Sequence, residues 1–380
     1  MIEVYQMKEL LTSRPGLLIT VVGVGGCGCN TINMLHENNL SSTVNLIAVN
    51  TDLAVLNHSP VESKILIGQD LTNGYGAGAD PAVGLKAAQE SEETLKAAIE
   101  GSDIVIITAG FGGGTGTGAS PLIAKIAREL GINCLAVVTL PFESESKMRM
   151  GYALEGIELI KEPAQAYITL SNDLLLKGLG ENVGLFSAFK QSNEVLNNLL
   201  TALVQMLTQT GHMNVDINDF ARILSFGGES VLGVGKAETE EDAFDALEQA
   251  LNNPLVSVEN IDTAQGIIVH ICCKKDDIKL STYDDLVNNV RKKLKHDSAL
   301  IVAGVSLEPE LSTELSILII ASGISTRALS DKVGQSELHE SYIGNDLSFI
   351  SEPEHLEELT NTSSFTDIPA IVRKLQGLSL

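Results

Sequence analysis

The stretch DIVIITAGFGGGTGTGAS, Asp103 to Ser120, decides how the rest of the chain is read. Its first half is an apolar Val/Ile run of strand length, and Gly or Thr occupies every position from 112 to 118. Glycines let a backbone approach a ligand closely, and a helix start presents unpaired N–H groups to an anion. Pro121, a favoured first-turn residue, marks the expected start of the helix that follows. Thr115 and Thr117 add hydroxyl donors. No Lys follows the glycines, so this is not a Walker A loop. A merely flexible linker would not be flanked so tightly by core strand and helix.

Upstream, VVGVGGCGCN (Val21 to Asn30) also follows an apolar run and opens a helix. It matches G-x-G-x-x-G through Gly23, Gly25 and Gly28, and Asp52 follows at about the distance of a ribose-binding acid. Alone, this cluster fits either an NAD-dependent oxidoreductase or a tight strand-to-helix turn.

The two clusters belong to one pattern. LLITVVGVG, VNLIAVNTD, DIVIITAG, NCLAVVTLP and AYITLSND alternate with helical stretches up to about Leu170. Continuous Val/Ile/Leu runs are the mark of buried parallel strands, so the fold class is α/β, a Rossmann-like parallel-sheet domain over 14–181. Ligands of such sheets sit at the carboxyl ends of the strands. Over 182–210, Phe186, Phe189, Leu196, Leu199, Leu200, Leu203, Met206 and Leu207 recur with helical period, which predicts a long central helix ended by Gly211. At 1.5 Å per residue such a helix spans on the order of 40 Å. A smaller α+β C-terminal domain is expected over 211–325, with GIIVHICCK, SALIVAGVSL and ELSILIIASG as strands and DFARILSF and TEEDAFDALEQAL as helices. Residues 1–13 read as an extension and 326–365 as a disordered acidic linker, with eight acidic residues against one Lys between Asp331 and Phe365. A mixed apolar and basic peptide occupies 366–380.

Composition narrows the function classes. A formal charge of -24 over 380 residues argues against nucleic-acid binding, which needs clustered Lys and Arg. An anionic ligand must then be held by backbone N–H groups, a metal or a few local charges. The five cysteines form no spaced disulfide framework, which fits a reducing cytoplasm. No leader pattern opens the chain and no long apolar run follows, so membrane contact is expected only through a partner or a tail.

GGGTGTG resembles the signature loop of the tubulin/FtsZ GTPase family, and GGCGCN resembles the first nucleotide loop of its bacterial cell-division members. The resemblance continues in order through AVNTD (48–52), GAGADP (76–81), AVVTLPFESESKMR (136–149), LSND (170–173), FKQSNEVL (189–196), GHMNVDINDF (211–220) and the terminal DIPAIVRK (367–374). It implies a polymerising enzyme that binds GTP or GDP with Mg²⁺ and assembles head to tail with itself. Gly25, Gly26, Cys27, Gly28 and Asn30 would line the α/β-phosphates, and Gly112, Gly113, Gly114, Thr115, Gly116, Thr117 and Gly118 the β/γ-phosphates. Ala77 and Gly78 would sit near the γ-phosphate. Glu145 and Arg149 would contact the ribose, Asn172, Asn193 and Glu194 the guanine, and Phe189 would stack on the base. Asn214, Asp216 and Asp219 would act on the nucleotide of the neighbouring subunit. Residues Asp367 to Lys374 would dock to a membrane-tethered adaptor such as FtsA or ZipA, at the division site on the inner face of the membrane.

Plainer readings stand beside these. Glu145 and Arg149 are spaced as a surface helix pair, Asn172 as a turn residue, Phe189 as core, and Asn214, Asp216 and Asp219 as helix caps. The chain also departs from the family pattern. Cys27 and Cys29 stand where small residues, mostly Gly, are usual, at a helix start whose dipole favours a thiolate. Asp80 replaces Asn and adds charge near the γ-phosphate, and Glu194 replaces Asp. A paralogue that binds GTP without assembling is a further alternative, against which the intact Asn214, Asp216 and Asp219 speak.

Overall fold

The computed structural model describes residues 17–173, 185–208, 213–252, 258–274, 278–296, 298–309 and 311–324. The expected extension over 1–13, the linker over 326–365 and the terminal peptide over 366–380 lie outside them, as does Gly211.

Strands β1 (Ile19–Val24), β2 (Asn45–Asn50), β3 (Ser63–Leu66), β4 (Ile104–Gly110), β5 (Asn133–Leu140) and β6 (Ala166–Ser171) form one sheet in the order β3-β2-β1-β4-β5-β6. Every pairing is parallel. The five apolar runs read as strands are strands. The sixth, β3, has the short sequence SKIL with two exposed residues, so it lacks the continuous apolar signature. Strand order reverses between β1 and β4, and the crevice at such a switch point is where open parallel sheets bind ligands.

Helices α1 (Gly25–Glu37), α2 (Leu53–His58), α3 (Gln69–Thr72), α4 (Pro81–Glu90), α5 (Glu92–Ile99), α6 (Thr115–Glu129) and α7 (Lys147–Lys161) connect the strands. Alternate residues of β4 face opposite sides. Val105, Ile107 and Ala109 pack into one core with α4 to α7, whereas Ile104 and Ile106 join a second core against α1.

That second core does not stop at the sheet. It includes Leu196, Leu199, Leu200, Leu203, Val204 and Leu207 of α8 (Leu185–Thr208), then Ile267, Ile268, Val269 and Ile319 of the other sheet. The central helix is therefore a shared wall, with about 36 Å of described length at 1.5 Å per residue. Beyond it lie α9 (Ile217–Leu224), β7 (Val231–Ala237), α10 (Ala243–Leu251), β8 (Gly266–Cys273), α11 (Leu280–Lys293), β9 (Leu300–Leu307) and β10 (Leu315–Ser322). The sheet order is β7-β10-β8-β9, with β8 and β9 parallel and β10 antiparallel to both its neighbours. Strand β7, VLGVGKA, escapes sequence reading because of its glycines. A Cβ on Gly233 or Gly235 would lie 1.9 or 1.8 Å from a carbonyl oxygen of α10, so their absence of side chain seats that helix on the sheet. The edges of the two sheets also meet: Ser230 N donates to Tyr167 O at 2.7 Å and Thr169 Oγ1 to Glu229 Oε1 at 2.6 Å.

One buried base in the second sheet makes stability depend on pH. His270 on β8 is 5% exposed, and burial lowers its pKa to about 4. Between pH 6.5 and 4 the unfolded chain binds a proton that the folded chain refuses, so stability is full above 6.5 and falls as pH drops through that window. The loss reaches about 3 kcal/mol, taking 1.36 kcal/mol per pKa unit. Urea midpoints measured from pH 7.5 to 4 should fall less steeply in His270→Leu; identical slopes refute the assignment.

Candidate functional site at the strand ends

Both glycine clusters are helix starts. Gly25 begins α1 directly after β1, and the first turn of α6 is Thr115 to Gly118, with Gly118 N donating to Gly114 O at 3.0 Å. The expected start at Pro121 is thus corrected by six residues: the proline lies inside the helix. Local propensity loses to packing, because Thr115 to Ser120 are all buried against neighbouring elements. As a consequence, the unpaired N–H groups of α6 belong to the glycine-threonine signature itself.

Three segments converge on that turn and the glycine loop that leads into it. A Cβ on Gly25 would lie 3.0 Å from Gly116 N, so the starts of α1 and α6 touch. A Cβ on Gly114 would lie 2.8 Å from Ala77 Cβ and 2.9 Å from Asp80 N, which brings in the loop 76–80. Arg149 Nε donates to Gly112 O at 3.1 Å, and its guanidinium pairs with Glu145, whose Oε1 also accepts from Phe142 N at 3.0 Å. Glu145 and Arg149 are more than a surface pair: they moor the first turn of α7 to the glycine loop. Gly112 N donates to Thr117 Oγ1 at 2.8 Å, so that hydroxyl shapes the loop from inside. Gly26 and Asn30 remain exposed, Gly78 is exposed, and Gly113 is half-buried.

The carboxyl end of β6 meets α8. Ser192 Oγ donates to Asn172 Oδ1 at 2.6 Å, fixing the buried Asn172 amide, and Asp173 accepts from Glu143 N at 3.0 and 3.1 Å. Asn193 is half-buried beside Ser192, while Glu194 is exposed and paired with Lys190 at 3.6 Å. An exposed i,i+4 pair holds its carboxylate with only a few tenths of a kcal/mol. Phe189 lies in α8, with its side chain outside the described residues.

Asn214, Asp216 and Asp219 are not brought to this crevice. From Ser192, α8 runs on to Thr208, about 24 Å at 1.5 Å per residue. Met213 then bridges to Val305 on β9. Asp216 is the N-cap of α9 and accepts from Asp219 N at 2.8 Å.

Three sequence expectations change. Asp52 is the N-cap of α2, accepting from Ala54 N at 2.8 Å and Val55 N at 3.3 Å, which removes the ribose acid from the dinucleotide reading. Asp80 caps α4 through Ala82 N at 2.9 Å; Asn caps equally well, which explains the exchange. The thiols are not activated. Burial pushes Cys27 up, a contact with Thr139 Oγ1 at 3.5 Å offsets part of this, and Glu145 adds to it. Cys29 is buried and pushed up to about 11. Cys27 is half-buried and the other four cysteines are buried, so native labelling with iodoacetamide should modify Cys27 alone, slowly, faster as pH rises, and more slowly again with GTP bound. Mass spectrometry of labelled peptides reads this, and modification of Cys29 at the same rate contradicts the burial. Thr139 and Asn50, which sequence reading passed over, carry the contacts to Cys27 and Cys29 respectively.

Comparison with known proteins agrees with the geometry. Residues 18–180 match the family model "Tubulin/FtsZ family, GTPase domain", and residues 228–325 match "FtsZ family, C-terminal domain". The chain is 39% identical over 328 residues to cell division protein FtsZ 1 of Pyrococcus furiosus, covering 86% of each sequence. It is 36% identical to cell division protein FtsZ of Buchnera aphidicola, covering 97% of this chain and 99% of that one. The solved empty FtsZ dimer of M. jannaschii superposes with a TM-score of 0.77 at 38% identity, over 86% of this chain and 92% of that one. With a parallel sheet carrying two glycine-rich helix starts at its switch point and joined through one long helix to a mixed sheet, the chain belongs to the tubulin/FtsZ family of GTPases.

Proposed function

We propose that this GTPase acts in cell division, polymerising head to tail on the cytoplasmic face of the membrane and hydrolysing GTP where one subunit meets the next. The observation that carries this is the meeting of the α1 start, the α6 start and the loop 76–80, while Asp216 and Asp219 lie beyond the length of α8. Phosphoryl transfer needs an in-line water and compensation of charge on the phosphate oxygens. The backbone N–H groups of Gly25 to Gly28 and Thr115 to Thr117 compensate that charge, Arg149 and Glu145 hold the ribose, and Asn172 with Asn193 and Glu194 reads the base. Phe189 stacks on it. The water is oriented by Asp219, with Asn214 and Asp216, of the next subunit. Such a heterologous contact generates open filaments.

No cluster of three or more His, Cys, Asp or Glu that could cage a metal occurs among the described residues. Mg²⁺ would be held chiefly by the phosphates and water, where it would neutralise charge on the γ-phosphate and offset Asp80. The division of labour follows the sequence segments, with 14–181 binding nucleotide, 211–325 completing the neighbour's site, and Asp367 to Lys374 engaging an adaptor such as FtsA or ZipA. No helix among the described residues is long and apolar enough to cross a membrane.

The test is a concentration series. Specific GTPase activity should rise from near zero above an assembly threshold, with sedimentable polymer in GTP and not in GDP, and truncation after Phe365 should leave both intact while abolishing adaptor binding. Full-rate hydrolysis by monomers diluted below the threshold overturns the shared site. Tight NAD binding without GTP binding overturns the nucleotide assignment itself.

A further inference from the structure

Thr51 follows β2 and is completely buried, yet its polar atoms reach two of the segments that build the crevice. Its Oγ1 lies 2.7 Å from Thr115 Oγ1 at the first residue of α6, across 64 positions of sequence. Its carbonyl oxygen accepts from Gly76 N at 3.1 Å, where the loop 76–80 departs, and from Thr72 Oγ1 at 3.3 Å. Beside it, Asn50 Nδ2 approaches Cys29 Sγ in α1 at 3.8 Å.

We infer that Thr51 is a positioning residue of the nucleotide site, locking the α6 start to the loop 76–80 and orienting the Thr115 hydroxyl. The inference rests on the reading of that turn as the phosphate cradle. Two hydroxyls in contact share one proton between them, so the direction of the bond decides what Thr115 offers outward. With Thr51 as donor, Thr115 Oγ1 accepts and its own O–H is released toward an anion; each bond of such a chain polarises the next. With Thr115 as donor, nothing is offered. A phosphate oxygen selects the first arrangement, and the buried Thr51 has only to rotate its hydrogen. The carbonyl contact means that the same residue fixes where the loop 76–80 begins, so the two segments move together or not at all.

The test uses Thr51→Val, which keeps the shape and removes the hydroxyl, and Thr51→Ser, which restores it, both in the full chain. Equilibrium binding of GTP and GDP is measured with GTPase kinetics and thermal unfolding without nucleotide. Thr51→Val should lose about tenfold in GTP affinity, the size of one charge-assisted hydrogen bond, and Thr51→Ser should recover to within about twofold. In the background of Thr115→Val, the further change at Thr51 should have no added effect, because the two act as a unit. Unchanged affinity in Thr51→Val, equal loss in Thr51→Ser, or additive losses in the double variant each overturn the inference. A wild-type chain that binds no guanine nucleotide would instead overturn the site reading on which it rests.

Discussion

Asp219→Ala is expected to bind GTP with nearly wild-type affinity, to hydrolyse it at least ~100-fold more slowly, and to form polymers that persist longer. The substitution is a clean one. The cap of α9 uses the Asp219 backbone N–H and the Asp216 carboxylate, so Ala at 219 leaves the helix start in place. Asp216→Ala would remove the cap as well, at a cost of about 1 kcal/mol, and confound fold with chemistry. On the proposal that Asp219 acts on the neighbour's nucleotide, mixing Asp219→Ala with a variant whose own crevice is blocked should restore some turnover at mixed junctions. Stopped assays of GTP hydrolysis with sedimentation of the same samples provide the readout. A variant that hydrolyses as fast as the wild type would remove Asp219 from the mechanism.

The second large effect separates two glycines of the same crevice. A Cβ on Gly118 would stand 2.1 Å from Pro81 O and 2.6 Å from Leu85 N, both backbone atoms of α4 that cannot step aside. Gly118→Ala should therefore destabilise the chain by about 3 kcal/mol, the upper range for overpacking, and displace the loop 76–80 that leads into α4. A Cβ on Gly26 meets nothing within 4 Å. Gly26→Ala should leave stability equal or raise it by up to about 1 kcal/mol through helix propensity, while GTP affinity drops about tenfold or more. Denaturant unfolding paired with GTP titration distinguishes the two. Normal GTP binding by Gly26→Ala would mean that the first turn of α1 does not face the phosphates.

This contrast shows what sequence could and could not convey. The strands β1, β2, β4, β5 and β6 were legible because burial on both faces writes an unbroken apolar run, and the central helix because one apolar stripe recurs along it. Strand β3 is short and half exposed, and β7 is interrupted by glycines whose reason lies in α10, a neighbour that sequence does not reveal. Helix α11 buries only Leu286 and Val290, too few to set a period. Within the crevice, the glycine and threonine clusters announced themselves, but their duties did not. Gly118 is required by packing on α4, Thr117 by the hydrogen bond from Gly112, and Asp52 by a helix cap. Pairings such as Thr51 with Thr115 depend on which strands become neighbours, and no local pattern carries that.

The unbroken apolar core through α8 has a consequence for how the molecule comes apart. Cutting the chain near the end of that helix would take the wall from the second half and leave its apolar face bare on the first, so neither would be expected to remain folded as a separate soluble piece. Heat should melt both sheets in a single cooperative step. A nucleotide seated at one end then protects the far sheet as strongly as the near one, since ligand binding stabilises whatever unfolds as a unit.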